Sequence, residues 1–250
     1  MLSIATWNIH KGFSQFNRRM MVHELRERLR ALDADIVFLQ EVQGQHERHA
    51  RNHSNWPLAP QHEFLAEGVW ASHAYGRNMV YDHGHHGNAI LARFPILASH
   101  NQDVTRLRFE KRGLLHCTVD VPGLTLPLHC VCAHLSLFGR SRRHQINALA
   151  DFIELNVPAQ APLVIAGDFN DWRGCACDLL TPRLGLVEVF ACHGERPSRS
   201  FPAALPLFRL DRIYVRGLRT DACAVHHGPP WSLISDHAAL SARLSLPATE

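Results

Sequence analysis

Gly167-Asp168-Phe169-Asn170-Asp171 follows directly on the apolar run Pro162 to Ala166. A strand through Leu163, Val164 and Ile165 that ends on Gly-Asp-x-Asn sets two short polar side chains at a strand tip. Alternation by two then points Asp168 and Asn170 the same way. The first can take a proton and the second can donate a hydrogen bond, the minimum needed to activate water beside an oxyanion. By itself the pattern is also ordinary turn chemistry, and Asp171 reads as the turn-former.

Further polar residues stand at the ends of apolar runs. Asn8 closes Thr6-Trp7-Asn8 and Glu41 closes Leu39-Gln40-Glu41. A carboxylate and an amide oxygen on one sheet edge suit a hard cation such as Mg²⁺; each taken alone is a strand stop or a solvated acid. Asp211 lies in the alternating run Arg209 to Val215, where a buried carboxylate needs a partner. Ser235-Asp236-His237 offers one, because a His held protonated by an Asp places positive charge near a developing phosphorane. The same pair reads equally as a turn leading into a strand. His134 ends another run, where a lone His is more often structural. Arg112 precedes a strand and either faces a phosphate or sits in a hairpin. Gly87-Asn88 reads as a hairpin turn. His83, His85 and His86 before it could bind a transition metal, though at no defined zinc spacing. Arg140, Arg142 and Arg143 open a helix and read as a solvated face, with anion attraction as the alternative.

These residues need a scaffold that brings strand ends together. Strands over 2–7 and 35–40 flank a helix whose Val22, Leu25, Leu29 and Leu32 share a face. A right-handed parallel crossover would bring Asn8 and Glu41 to the same edge. Strands are expected over 77–81, 88–93, 96–104, 113–121 and 124–134. A second helix starts near Ser141 with Ile146, Leu149, Phe152 and Ile153 on one face, and strands follow near 186–190, 208–215 and 239–246. Two helices flanking many strands predict two packed sheets covered by helices in one domain.

Composition narrows the setting. Hydrophobic residues make up 46% of the 250, enough for a packed core and against disorder. No apolar run approaches the roughly 18 residues that span a bilayer. Met1 to Trp7 reads as a strand and not as a signal peptide, so a cytoplasmic setting is expected. The seven Cys form no C-x-x-C pair, which argues against a zinc ribbon or thioredoxin motif. Cys130 and Cys132 alternate with Val131 as small core hydrophobes. A formal charge of +3 and a pI of about 8.6 fall short of a dedicated duplex-binding domain and permit an anionic substrate.

In order along the chain, TWNIH, LQEV, GNAI, AHL, GDFND, RLDRIYV and SDH closely resemble the endonuclease/exonuclease/phosphatase superfamily of metal-dependent phosphohydrolases. The resemblance runs from Trp7 to the final strand. It implies an α/β (α+β) fold, a four-layer α/β/β/α sandwich of two packed mixed, largely antiparallel sheets flanked by helices, as one catalytic domain over residues 1–250. It also implies hydrolysis of a phosphodiester by in-line attack of an activated water. Glu41 matches the principal ligand of Mg²⁺ (Mn²⁺ also serving), Asn8 the amide beside it, and Asp236 an acid that helps hold the metal or orient the site. Asp168 matches the residue that orients or deprotonates water, Asn170 the donor to a phosphate oxygen, His134 a neighbour of the phosphate, and Asp211 and His237 the paired Asp–His. Arg112 and Asn88 are carried over as substrate contacts.

The resemblance leaves the substrate open between a phospholipid headgroup and a nucleic acid. Phosphomonoester hydrolysis of the inositol-phosphate or nucleotide type and non-catalytic binding of a phosphate ligand are the alternatives. Loops 43–76, 83–88, 105–112, 136–143 and 194–208, carrying Trp56, Trp70, Phe138, Phe201 and Phe208, are expected to decide. Aromatics stack on bases and also sit at lipid interfaces, so a peripheral membrane contact without a transmembrane segment is expected.

Overall fold

The central strands carry apolar side chains on both faces, and the layering follows from that. In β2 (Ile36–His46), Ile36 and Phe38 enter one core cluster while Val37 and Leu39 enter another. In β7 (Leu128–His134), Cys130 and Cys132 share the first cluster, and Val131 and Ala133 point into a third. A strand buried on both sides must be covered on both sides. The computed structural model, which describes residues 1–191 and 198–246, meets this with helix, sheet, sheet and helix in four layers.

One sheet runs, in spatial order, β11 (Arg219–His226), β12 (Ala239–Ser245), β1 (Leu2–Asn8), β2, β4 (Gly84–Ala92) and β3 (Ser72–Tyr81). The other runs β5 (Ile96–Asp103), β6 (Gly113–Val119), β7, β8 (Leu163–Asp168), β10 (Asp211–Arg216) and β9 (Val187–Glu188). Neighbouring strands are antiparallel except for one pair in each sheet, β1 with β2 and β7 with β8. α1 (Val22–Leu32) joins the first parallel pair and buries Val22, Leu25 and Leu29. α4 (Gly139–Asn156) joins the second and buries Ile146, Leu149 and Ile153. A parallel connection needs such a crossover, and it leaves the two strand ends level. Asn8 accordingly sits opposite Gln40, and His134 opposite Asp168.

The middle of the chain departs from the sequence reading. The segment 43–76 is no open loop: β2 continues to His46, α2 (Glu47–Asn52) and α3 (Gln61–Ala66) follow, and β3 begins at Ser72. Trp70 is 3% exposed and donates its indole N–H to the Ala34 carbonyl at 2.9 Å, which makes it a core residue. Gly87 and Asn88 lie within β4, and the hairpin turns at Asp82-His83. A Cβ on Gly87 would stand 1.8 Å from the Gly76 carbonyl, so this glycine serves the close approach of β3. α5 (Cys175–Leu184) and β11 were not expected; Pro182 inside α5 masks its helical pattern. Part of the expected loop 194–208 lies outside the described residues.

Candidate active site

β8 ends on Gly167 and Asp168, hard against β7. Gly167 has φ 146°, and a Cβ there would lie 1.9 Å from the Ala133 carbonyl. Only glycine lets the two parallel strands lie this close at that backbone angle. Asn170 is not a second position of the same strand. Its φ of 50° is left-handed, so a tight turn, and not alternation, swings it back beside Asp168. The Asn170 amide N–H donates to Asp168 Oδ1 at 2.9 Å, and its side chain donates to the Leu135 carbonyl at 2.9 Å.

Asp168 is 1% exposed and receives a second hydrogen bond from across the sandwich, Asn8 Nδ2 to Oδ2 at 3.1 Å. His134 Nε2 and His237 Nε2 stand 3.6 and 3.8 Å from the same oxygen, close but beyond hydrogen-bond length. Burial raises the Asp168 pKa and nearby Asp211 adds to this, against the opposing pull of His237 and of the two donors. A carboxylate so placed is a stronger base than one in water.

His237 donates through Nδ1 to Asp211 Oδ2 at 2.9 Å. Burial works against its charge, but Asp211, Asp168 and Asp236 together outweigh it, and the imidazole pKa rises. The partner that Asp211 needed is therefore His237. Ser235 fixes this loop: its hydroxyl donates to the Asn8 carbonyl at 2.7 Å and accepts from the His237 amide at 3.2 Å. His134 behaves oppositely. Burial, reinforced by Arg112, holds its pKa well below the usual value, so it is a neutral hydrogen-bonding group.

Glu41, at the end of the apolar run in β2, has φ 58°. A non-glycine residue held there is strained, and such strain collects at functional sites. Its Oε2 lies 3.3 Å from Lys11 Nζ. Burial pushes the Glu41 pKa up, yet Lys11 and several histidines hold it below the ordinary value and the group is ionised. Asp236 Oδ1 pairs with His10 Nδ1 at 3.1 Å and makes no well-formed hydrogen bond. Glu41, Asp236 and Asn8 all line the same cleft with hard oxygen atoms, a donor set that fits a divalent cation of the Mg²⁺ type. Among the described residues, Asp168, Asp211 and His237 also place three donor atoms within 4.8 Å of one another. A protonated imidazole has no lone pair to give a metal, so we read that triplet as a hydrogen-bonded network.

Asn8, Glu41, His134, Asp168, Asn170, Asp236, His237 and Arg112 line one open cleft of about 780 Å³. Arg112 is held by Glu110 at 3.0 Å and by the Leu135 carbonyl at 3.2 Å, the carbonyl that also holds Asn170. Asn88 does not reach the cleft. It is 0% exposed and its amide donates to the carbonyls of Gly113 at 2.9 Å and Cys132 at 3.2 Å, tying one sheet to the other. Arg142 departs from the solvated-face reading. It is buried, donates to the Ser136 and Leu137 carbonyls, and lies 3.7 Å from Asp171. Asp171 is likewise buried and accepts from the Ala176 amide in the first turn of α5. His83, His85 and His86 form no group of three metal donors. Sequence reasoning passed over His10 and Lys11, which follow Asn8 and have left-handed φ angles of 44° and 58°, and over Leu137, Trp172 and Leu207 on the rim. Only adjacency to Asn8 pointed to the first two.

A match to the Endonuclease/Exonuclease/phosphatase family spans residues 5–237. The chain belongs to this family. Its members are phosphoric ester hydrolases, generally dependent on a divalent metal. "Uncharacterized protein YbhP" of Escherichia coli (strain K12) is 46% identical over 243 residues, covering 97% of this chain and 96% of the relative. Among solved family members, an endonuclease/exonuclease/phosphatase from Beutenbergia cavernae superposes with TM-score 0.76 at 20% identity, over 99% of this chain and 72% of that one. The mannosyl-6-phosphatase Bt3783 of Bacteroides thetaiotaomicron superposes with TM-score 0.73 at 14% identity, over 98% and 100%. At these identities the two structures establish the shared fold.

Proposed function

We propose that this family member hydrolyses a phosphodiester with Mg²⁺, by in-line attack of a water that Asp168 deprotonates. The observation that carries the reading is Asp168 itself: buried, raised in pKa, fixed by two donors, and lining one cleft with Glu41 and Asp236. Glu41, Asp236 and Asn8 would hold a divalent cation, which would supply charge neutralisation to the phosphate. Asp168 takes the water proton as the oxygen bonds to phosphorus and the opposite P–O bond breaks. His237, charged and oriented by Asp211, presents Nε2–H to a phosphoryl oxygen as negative charge builds there. Asn170 keeps a second amide N–H for the same purpose, and neutral His134 can donate beside it. Positioning and electrostatics of this kind carry most of the rate in phosphoryl transfer.

Two features favour a diester over a monoester. The cleft is open, and Leu137, Trp172, Leu207 and Phe208 on its wall can meet a second, apolar ester group. The phosphatase name of one structural neighbour motivates testing the monoester alongside. In the test, bis(4-nitrophenyl) phosphate and 4-nitrophenyl phosphate are compared with labelled DNA, RNA and phospholipids, with Mg²⁺ or EDTA, against an Asp168→Ala control. Metal-dependent turnover of diesters that EDTA and Asp168→Ala abolish is expected. Turnover retained by Asp168→Ala would sink the assignment.

A further inference from the structure

Large apolar side chains are exposed singly over much of the surface, as at Phe16, Leu58, Leu97 and Leu155, and scattered residues of this kind need no explanation. Around the mouth of the cleft they gather. Leu137, Trp172, Leu207 and Phe208 line it while remaining 52%, 45%, 52% and 48% exposed. Phe138, 51% exposed, continues from Leu137, and its ring stands edge-on 5.9 Å from Phe109, 68% exposed. The rim is assembled from separate stretches of chain. It is held in place: Arg142 lies 5.1 Å from the centre of the Trp172 ring, and Glu110 accepts from the Leu137 amide at 3.1 Å and from the Ser136 hydroxyl.

The same stretches are basic. Arg106, Arg108, Arg140, Arg143 and Arg173 are exposed, and the last three line a second cavity of about 510 Å³ that shares Trp172 with the cleft. Within 104–112, 136–147, 171–173 and 198–210 the acids are Glu110 and Asp171, both buried and both engaged with protein donors. Among the described residues, these four stretches therefore combine an apolar rim, cationic flanks and no exposed carboxylate. A nucleic acid would use the guanidinium groups and the aromatic faces, but Leu137 and Leu207 offer no face on which a base can stack. An anionic bilayer uses all of them: apolar side chains enter the headgroup–acyl boundary while arginines meet lipid phosphates.

We propose that the mouth of the cleft docks on an anionic lipid bilayer, and that the phosphodiester hydrolysed is one carried by a lipid of that bilayer. The inference rests on the phosphodiesterase reading for its chemistry and on the rim for its docking. The lipid phosphate reaches Arg112 and Asp168 while the acyl part stays at Leu207, Phe208 and Trp172. Water adds its oxygen to phosphorus, one ester P–O bond breaks, and the released alkoxide takes up a proton. No redox partner is required.

Co-sedimentation with vesicles of phosphatidylglycerol and phosphatidylcholine, or of phosphatidylcholine alone, tests the docking. The wild type is expected to bind the anionic vesicles and to release Mg²⁺-dependent product from phosphatidylglycerol. The double variant Phe109→Ser/Phe138→Ser, altered outside the cleft, should bind those vesicles about tenfold more weakly. It should still turn over bis(4-nitrophenyl) phosphate at the wild-type rate. Arg140→Glu/Arg143→Glu should lose the preference for anionic vesicles. Wild-type protein left in the supernatant, or tighter binding to a single-stranded oligonucleotide than to vesicles, overturns the proposal. Vesicle binding without turnover of any diester upholds the docking and overturns the hydrolysis, so the two failures are separable.

Discussion

The two sheets each present the level ends of one parallel pair, and each pair ends in a carboxylate. Glu41 follows the apolar run of β2 and Asp168 closes β8, yet their surroundings drive them apart. Desolvation is the largest influence on each and raises both carboxyl pKa values. At Glu41 the cationic Lys11 and the nearby histidines overcome it and the group stays ionised. At Asp168 the single cation His237 is itself shared with Asp211, so desolvation wins and the pKa rises. One fold thereby yields an anion fit to hold a cation and a base fit to take a proton. Local charge, and not the strand geometry they share, divides the labour.

Substitutions can break this division. Asp168→Asn is expected to reduce turnover by about 10³-fold with an unchanged circular dichroism spectrum, and added Mg²⁺ should not restore it. Glu41→Gln should cost about 10²-fold, and higher Mg²⁺ should recover part of the loss in steady-state assays. Equal insensitivity of both variants to metal would erase the distinction.

Within the Asp168 half, His237→Gln and Asp211→Asn should each lower kcat by about 10²-fold. The double variant should be hardly worse than either, because the two act as one unit. Additive losses would mean that Asp211 acts on its own. In the Glu41 half, Lys11→Met removes a cation that competes with metal, and Mg²⁺ affinity by calorimetry should rise by up to about fivefold.

The smallest effect lies away from both. Burial lowers the pKa of His62 and of His116 to about 4, below the roughly 6.5 of an unfolded chain. Their folded states prefer the neutral ring. The stability they contribute is full above about pH 6.5 and is lost as pH falls toward 4. Thermal melts should show Tm falling by about 5 °C between pH 7 and pH 4.5, and His116→Gln should flatten that slope.

Where local pattern and tertiary demand agree, the sequence was readable. Leu163 to Ile165, Ile36 to Leu39 and the helix through Val22, Leu25 and Leu29 are apolar at the periods their layers require, and the four-layer sandwich follows from them. Asp211 among β-branched neighbours signalled a partner, and His237 is that partner. Other features depend on contacts that no spacing encodes. Asn88 looks like a turn residue until the second sheet supplies the Gly113 and Cys132 carbonyls that its amide satisfies. Arg142 looks solvated until Asp171 and the 136–137 carbonyls come beneath it. His10 reaches the cleft and Lys11 reaches Glu41 through left-handed backbone, a conformation set by the fold around them. Among the described residues no helix is long and apolar enough to cross a membrane.

Calorimetric titration of Mg²⁺ into the Asp168→Asn and Glu41→Gln proteins tests the division of labour most directly, because it reads metal binding apart from turnover. The account predicts that Asp168→Asn binds Mg²⁺ as the wild type does while its turnover falls by about 10³-fold, and that Glu41→Gln binds it at least about tenfold more weakly. Loss of binding in Asp168→Asn with normal binding in Glu41→Gln would contradict it.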